Sequence, residues 1–182
     1  MLRKVRKFVS EMIPVLLGVL LALLVNNWNE QRKDKAFVNK AFDAIKKEIT
    51  ENREELDKIL PGHYAFIDSL AQYTKDENMS LEAILINTNG LQMPTIKSTA
   101  WKFYLGSNIE LIDYQRVSIL SGMDETIKFL EIKMEQLMEF ATQNTPKTDS
   151  QTKKMFTILL LNVTDSEEQL KEAYEAYLDQ FH

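Results

Sequence analysis

The chain has 182 residues, with 22 Lys and Arg against 27 Asp and Glu, 45% hydrophobic residues, five glycines and four prolines. It has no cysteine and only two histidines, which excludes a disulfide framework, a thiolate metal site and a thiol nucleophile, and argues against most histidine-based catalysis. The charge content and the abundance of Leu, Ile and Phe argue against disorder, and the few glycines and prolines argue against a β-sandwich. We therefore expect a mostly helical chain.

The N-terminal segment is predicted to be an uncleaved single-pass membrane anchor. Residues 12–25 (MIPVLLGVLLALLV) carry no charge, and Phe8 and Trp28 bound an apolar stretch of 21 residues. A helix of this length spans about 31 Å, which matches the roughly 30 Å hydrocarbon core of a bilayer. The small residues of a signal-peptide cleavage site are missing after the apolar run. The predicted segments are a cationic leader at 1–7, a transmembrane helix at 8–28 and a soluble helical domain at 29–182.

The orientation of this anchor is predicted from its flanks. Four Lys and Arg residues precede the apolar stretch and four follow it closely, so the count alone is nearly balanced. The leader is short and purely cationic, however, and long domains cross membranes largely regardless of their charge. We therefore expect a bacterial inner-membrane protein with its N-terminus in the cytoplasm and its C-terminal domain in the periplasm.

Four residues of the anchor are candidates for contacts with the membrane or with another helix. Glu11 is either a carboxylate at the headgroup level that reaches Lys7, or a membrane-buried carboxylate that faces a partner helix. Gly18 and Ala22 are four residues apart and place two small residues on one face, a spacing that permits self-association. Trp28 is expected at the membrane interface.

The segment from Glu11 to Glu30 resembles a large family of uncharacterised single-pass bacterial membrane proteins. Their anchors show Gly-Glu-Ile, then an apolar run with Gly and Ala four residues apart, as at Gly18 and Ala22 here. The run ends in Asn-Asn-Trp-Asn-Glu, which stands at residues 26–30. The resemblance implies a membrane anchor followed by a helical domain, and it implies no activity.

This resemblance is looser outside the anchor. The family tends to carry a Thr-Ala-Trp, as at residues 99–101, and an apolar pair about ten residues later, as in residues 109–112. Ser10, Pro14 and Leu24 depart from the family pattern, and Leu24 stands where a Gln is frequent. If that Gln has an intramembrane role, this chain lacks it.

The remainder of the chain is predicted to form a long stalk helix and an irregular antiparallel helical bundle. Apolar residues recur every three or four positions from Val38 to Ile59, and Pro61-Gly62 is expected to end this helix. A short second helix is expected to fold back at residues 63–73. Further helices are expected at 81–86 after a Ser80 cap, at 98–105, at 109–143 and at 151–181.

The predicted bundle core consists of Ile45, Ile49, Leu56, Trp101, Leu120, Ile127, Leu159 and Tyr174. Trp101 is expected to be a core anchor rather than a platform for a ligand. Asn52 occupies a heptad position that should be apolar, and it either fixes the register of a helix pair or reflects local hydration. The acidic cluster at residues 48–55 alternates with Lys and Arg and is expected to be a solvated face. Residues 158–161 are expected to be buried on more than one side.

The sequence contains none of the common catalytic, phosphate-binding or metal-binding motifs that we considered. It has no Glu-x-x-His pair, no Gly-rich phosphate loop, no Gly-x-Ser-x-Gly and no His-Glu-x-x-His, and His63 has no ligand spacing around it. We therefore expect no enzyme activity, no cofactor and no metal site. Removing the four positive charges of the leader from the net charge of −5 leaves −9 for residues 8–182, which argues against a nucleic-acid partner.

Two functions remain. The first is a non-enzymatic, membrane-anchored helical interaction or scaffold module, for example an accessory subunit of an envelope complex. Its partners would be the membrane and another membrane or envelope protein, or a second copy of the chain. The alternative is an extracytoplasmic ligand-sensing domain that acts through a partner membrane protein, with Tyr64, Tyr73, Trp101 or Tyr104 lining a pocket. With fewer than ten residues expected in the cytoplasm, such a domain could signal only by moving the helices of a partner.

Overall fold

The computed structural model describes the backbone of residues 2–181 and the side chains of residues 12–104 and 106–181. Over this range the fold is all-α, as predicted, with five α-helices and one turn of 3-10 helix. The helices are α1 (Leu2–Tyr73), α2 (Leu81–Asn87), α3 (Thr99–Asn108), α4 (Tyr114–Asn144) and α5 (Ser150–Gln180), and the 3-10 turn Ile109–Leu111 follows α3.

The chain divides into two compact units between Asp43 and Ala44, and α1 contributes residues to both. The first unit is a length of α1, and the second contains the rest of α1 and the other four helices. The predicted segment boundaries at residues 8 and 29 fall inside α1 and stay predictions. The side chains of the predicted leader, residues 1–7, lie outside the described residues, as does that of Glu11.

The prediction that Pro61-Gly62 ends the first helix is wrong, because α1 continues to Tyr73. A proline inside a helix removes one hydrogen bond and crowds the preceding turn, at a cost of about 3 kcal/mol. The turns beyond it bury His63, Phe66 and Leu70. Burial of one large apolar side chain contributes roughly 1.5–3 kcal/mol, so the continued helix more than offsets the proline. The helix predicted at residues 63–73 is therefore the end of α1 and does not fold back.

Side-chain caps define where the other helices begin. The capping groups of α2, α4 and α5 are the Ser80 hydroxyl and the Asp113 and Asp149 carboxylates, which accept from the amides of Ala83, Arg116 and Thr152 at 3.1, 3.0 and 2.9 Å. Such caps satisfy amides that have no partner inside the helix. The Ser80 cap is as predicted. The helix predicted from residue 109 starts five residues later, because the 3-10 turn precedes its cap.

Helices α1, α4 and α5 form the antiparallel frame of the second unit. The hairpin of α4 and α5 closes through residues 145–149. α5 runs antiparallel to α1, since Lys171 pairs with Asp57 at 2.5 Å near one end, and Lys153 Nζ donates to the Tyr73 carbonyl at 2.9 Å at the other. An edge-to-face contact between Phe66 of α1 and Phe156 of α5, with centroids 5.6 Å apart, lies within this interface.

The short helix α2 is fixed to the α4–α5 loop. The Leu81 and Glu82 amides donate to the carbonyls of Lys147 and Thr145 at 3.0 and 2.8 Å. Leu81 and Ile84 are fully buried. The amides at the start of α2 thus satisfy loop carbonyls, while its apolar side enters the core.

Seven of the eight predicted core residues are buried: Ile45, Ile49, Leu56, Trp101, Leu120, Ile127 and Tyr174. Leu159 is only partly buried, and the adjacent Leu160 takes the fully buried position. The buried stripe of α5 runs through Phe156, Leu160, Val163, Glu167, Leu170, Tyr174 and Tyr177. Because the charged Glu167 occupies one of these buried positions, the apolar spacing of the sequence does not reveal which face of α5 is buried. Ile158 and Leu161, expected to be buried, are exposed.

The continuity of α1 predicts opposite effects for two glycines. Gly62 lies inside the helix, and a methyl group added there meets no atom within 4 Å. Gly62→Ala should therefore raise the free energy of unfolding by about 1 kcal/mol, or roughly 2–4 °C in melting temperature. The measurement is thermal unfolding of the detergent-solubilised chain followed by circular dichroism.

Gly90 provides the matched control, because it is equally open but has a φ of +79°. Gly90→Ala should lower the stability by about 1–2 kcal/mol, since a left-handed backbone disfavours a side chain. If Gly62→Ala lowered the stability as well, α1 would have to end near Pro61.

Candidate functional site

The first candidate site is the apolar surface of α1 from Met12 to Trp28. Its large apolar side chains are between 42% and 66% exposed: Met12, Ile13, Val15, Leu16, Leu17, Val19, Leu20, Leu21, Leu23, Leu24, Val25 and Trp28. Uninterrupted apolar exposure of this kind is unfavourable in water. Among the described residues, this is the one helix that is long and apolar enough to cross a membrane.

The helix-packing candidates lie on this surface. Gly18 is open, with no atom within 4 Å of where a Cβ would be, and Ala22 is exposed one turn further on. Trp28 is exposed at the end of the apolar run. The polar exit contains a hydrogen bond from Asn26 Nδ2 to Glu30 Oε1, 3.1 Å long. These residues share one exposed helix, and the α1 backbone brings Gly18 and Ala22 onto the same face.

The second candidate site is polar and lies inside the bundle, around the irregular segment of residues 90–98 that joins α2 to α3. We call this segment the strap. Asn52 of α1 holds the strap at Lys97: its Nδ2 donates to the Lys97 carbonyl at 2.7 Å, and its Oδ1 accepts from the Lys97 amide at 2.8 Å. Nδ2 also lies 3.2 Å from the Tyr174 hydroxyl of α5. Asn52 is thus neither a register device of a simple helix pair nor a hydrated interruption, because its amide replaces a backbone partner of the strap.

Two carboxylates of the acidic cluster also contact this region, so the predicted solvated face makes contacts within the bundle as well. Glu48 accepts from the Ala100 amide at 2.9 Å and thereby caps α3, whose own Ser98 makes no side-chain cap. Glu51 accepts from Lys97 Nζ at 2.8 Å. The hydrogen bond and charge of Lys97 lower the pKa of Glu51, and those of Glu51 raise the pKa of Lys97. Both side chains are well exposed, so this pair adds little stability.

The other end of the strap is held by His63 of α1. His63 Nε2 lies 2.6 Å from the Gln92 carbonyl of the strap, and Nδ1 lies 2.8 Å from Glu167 Oε2 of α5. His63 is 1% exposed and Glu167 is fully buried. A carbonyl can only accept, so Nε2 carries a hydrogen and Nδ1 faces the carboxyl group of Glu167. One imidazole therefore joins α1, α5 and the strap.

The environment of His63 acts on its pKa in both directions. Burial opposes the charged imidazole, whereas the hydrogen bond and charge of Glu167 and the Gln92 carbonyl favour it, and the pKa of His63 is raised overall. The second oxygen of Glu167, Oε1, is buried and has no hydrogen-bond partner. His63 is therefore the hydrogen-bond partner of this buried carboxyl group.

A cleft of about 180 Å³ lies beside His63, between α1 and the start of the strap. Lys58 and Gly62 line it from α1, and Asn89 and Gln92 line it from the strap and the turn before it. Asn89 and Gly90 have φ angles of 63° and 79°, and this left-handed turn leads the chain towards Gln92. The polar contact at His63 is therefore at the wall of a cleft rather than deep beneath helices on all sides.

A buried lysine closes the end of α1. Lys153 is fully buried, and its Nζ donates to the carbonyls of Tyr73 and Asp76 at 2.9 and 2.6 Å. These carbonyls lie at and just beyond the C-terminus of the helix, where an ammonium group is electrostatically favoured. Lys153 therefore fixes the point at which α1 ends and the chain turns to α2.

Trp101 lies in the core beside Asn52 and Tyr174, as expected for an anchor. The cavity that it lines measures about 20 Å³, which is room for about one water molecule. Burial raises the pKa of Tyr174 in this region. The space beside Trp101 is too small for a ligand larger than water, which weakens the idea of an aromatic sensing pocket there.

The sequence alone does not identify His63 and Glu167 as a pair. No ligand spacing surrounds His63, and Glu167 lies in a helix rich in Glu and Lys. Both occupy positions of a buried stripe, since His63 continues the spacing of Leu56 and Glu167 continues that of Phe156. A titratable residue at an apolar position on each of two helices is the signal that could have found the pair. In the described residues, no group of three or more His, Asp or Glu side chains lies together as a metal site would need.

The chain matches no protein-family model, no curated protein and no solved structure. The resemblance of residues 11–30 to the single-pass membrane family therefore stays a prediction.

The role of Asn52 leads to a stability prediction. Asn52→Leu places an apolar residue at the heptad position but leaves the amide and carbonyl of Lys97 without partners. Because an unpaired buried polar group costs about 1–3 kcal/mol and these groups are partly buried, the free energy of unfolding should fall by about 1–3 kcal/mol. Asn162→Leu, at an exposed position of α5, is the control and should change it by less than about 0.5 kcal/mol.

Urea unfolding followed by circular dichroism measures both variants. Were Asn52 only a hydrated interruption of the stripe, leucine would leave the stability unchanged or raise it, and that outcome would contradict the structural role of the amide.

Proposed function

We propose that the protein is a non-enzymatic, membrane-anchored helical interaction module. In this proposal residues 8–28 cross a bacterial inner membrane, the N-terminus is cytoplasmic and the bundle is periplasmic. The partner is another membrane or envelope protein, or a second copy of the chain. The observation that carries the proposal is the contrast between the exposed apolar surface of Met12–Trp28 and the packed core of the second unit.

The contrast supports anchoring because the second unit buries its apolar side chains, whereas the Met12–Val25 segment exposes them. The second unit buries its apolar stripes and satisfies most of its buried polar groups internally, as a domain in water must. The Met12–Val25 segment has its backbone hydrogen bonds satisfied within the helix and presents apolar side chains on every side, as lipid requires. A chain of this kind is expected to hold a water-soluble domain at a membrane.

Exposed apolar side chains on the bundle support a role in interaction. Phe129 and Ile132 are three residues apart on α4, and Ile158 and Leu161 are three apart on α5, so each pair lies on one face of its helix. All four are between 40% and 62% exposed. Single exposed apolar residues are common, but paired ones on two neighbouring helices are a more specific sign of a contact surface.

The proposed topology predicts a labelling pattern. The chain lacks cysteine, so Ser107→Cys and Gln136→Cys, both at exposed positions of the bundle, introduce single thiols. An impermeant maleimide should label both in intact spheroplasts, because the bundle faces the periplasm. The control Arg3→Cys, in the leader, should be labelled only after lysis. If Arg3→Cys were labelled in intact spheroplasts and the bundle positions were not, the orientation would be opposite to the one proposed.

The proposed interaction predicts site-specific crosslinking in native membranes. Benzoylphenylalanine at Phe129 or Ile158 should yield an adduct of one defined mass, either twice the 21.2 kDa of the chain or the chain plus one partner. The control position is Glu77, which is exposed in the polar turn before α2. Adducts that form equally from Glu77, or a chain that remains monomeric from all positions, would contradict an interaction through this surface.

A further inference from the structure

The strap is fastened to α1 at two points of different chemistry. At Lys97 the fastening is the neutral amide of Asn52, which bonds both backbone groups of that residue. At Gln92 it is the imidazole of His63, which bonds the carbonyl at 2.6 Å. An amide keeps its hydrogen bonds at every pH in the normal range, whereas an imidazole gains or loses a proton near neutrality.

The two hydrogen bonds of His63 show how many protons the imidazole and Glu167 hold when the strap is closed. Nε2 must carry a hydrogen to donate to the Gln92 carbonyl, and the 2.8 Å contact of Nδ1 with Glu167 Oε2 needs a second hydrogen between the two atoms. If that second proton leaves while Nε2 keeps its hydrogen, the lone pair of Nδ1 faces the fully buried carboxylate of Glu167. Such a contact is repulsive, and the buried charge of Glu167 would have no partner.

We propose that His63 is a proton-controlled clasp that holds the strap closed against α1 while the His63–Glu167 pair keeps its shared proton, and releases the Gln92 end when the pH rises. Release follows because a neutral imidazole keeps only one N–H. With that hydrogen on Nδ1 the bond to the buried carboxylate survives, but Nε2 then presents a lone pair to the Gln92 carbonyl and can no longer hold it. The Asn52 anchor is unaffected, so the strap pivots about Lys97 and opens the cleft lined by Ile59 and His63.

The charged groups around His63 define the direction of this pH dependence. Glu167 faces it from α5, Lys58 lines the cleft from α1, and the strap and the turn before it contribute Thr88, Asn89 and the Gln92 carbonyl, none of which titrates. Burial opposes the charge of His63, but the bond and charge of Glu167 outweigh it, so its pKa is raised. A raised pKa means that the closed state gains its full stabilisation below about pH 6.5 and loses it as the pH rises through the higher value.

The composition of the chain allows the proton to be observed directly. His63 and His182 are the only histidines, so histidine-selective ¹³C and ¹⁵N labelling of the full chain in detergent gives two imidazole signals. We expect His63 to titrate with a midpoint above about 6.5, and His63→Gln identifies its signal. The clasp is wrong if His63 titrates at or below that value, or does not titrate between about pH 5 and about pH 10.

A nitroxide at residue 92 reports whether the strap opens. The Gln92 side chain is exposed and only its backbone carbonyl is bound, so Gln92→Cys carries a spin label without removing the contact. The label should become more mobile with the same midpoint as the His63 titration. A label at Ser107→Cys, an exposed position of α3, is the control and should not change. Constant motion at residue 92 while His63 titrates would overturn the proposal.

Glu167→Gln separates the clasp from a purely structural contact. A glutamine amide donates to Nδ1 of a neutral imidazole, so both hydrogen bonds survive without the shared proton. In this variant the residue 92 label should stay immobile at alkaline pH, and the His63 midpoint should fall below about 6.5, because burial remains and the negative charge is gone. A residue 92 label that still loosens with pH in a folded Glu167→Gln chain would contradict the mechanism. The titration of the native sequence tests the clasp even if this variant does not fold.

Discussion

The strap, residues 90–98, has no regular secondary structure, yet its Pro94 is buried and both ends are fixed against helices. A backbone amide or carbonyl can leave water only where another group takes the place of water, and this constraint shapes the second unit. Asn52 and His63 of α1 provide these groups for the strap, Glu48 provides one for the start of α3, and Lys153 provides one for the end of α1. These four side chains therefore bond backbone groups that have no partner inside a regular helix.

The continuity of α1 makes these contacts possible. A helix that stopped at Pro61 would place His63 in a turn, away from Gln92 and Glu167. Because α1 continues, Asn52 and His63 fall on the same buried stripe, eleven residues apart, and meet the two ends of the strap. The helix thus tolerates the energetic cost of Pro61, and its continuation places His63 where it can bond the strap.

How much of the structure could be predicted depends on how far apart in the sequence the interacting residues lie. The all-α class, the Ser80 cap and the burial of Leu120 and Ile127 on α4 rest on local spacing and local hydrogen bonds, and these are present in the sequence. The passage of α1 through Pro61, the shift from Leu159 to Leu160 and the roles of Asn52, His63 and Glu167 depend on partners 29 to 122 positions away. No local sequence pattern predicts which residues these partners are. A polar residue on an otherwise apolar stripe indicates only that a partner must exist.

The protein combines an exposed apolar helix surface at Met12–Trp28 with a bundle in which buried polar side chains bond backbone groups outside the regular helices. The most direct test of this account is residue-resolved amide hydrogen exchange on the detergent-solubilised chain. The amides of Lys97 and Ala100, bonded to Asn52 and Glu48, should exchange at rates like those of the helix interiors, and far more slowly than the Thr95 amide in the same strap. If Lys97 and Ala100 exchange as fast as Thr95, the side chains of α1 do not hold the strap, and the account is wrong.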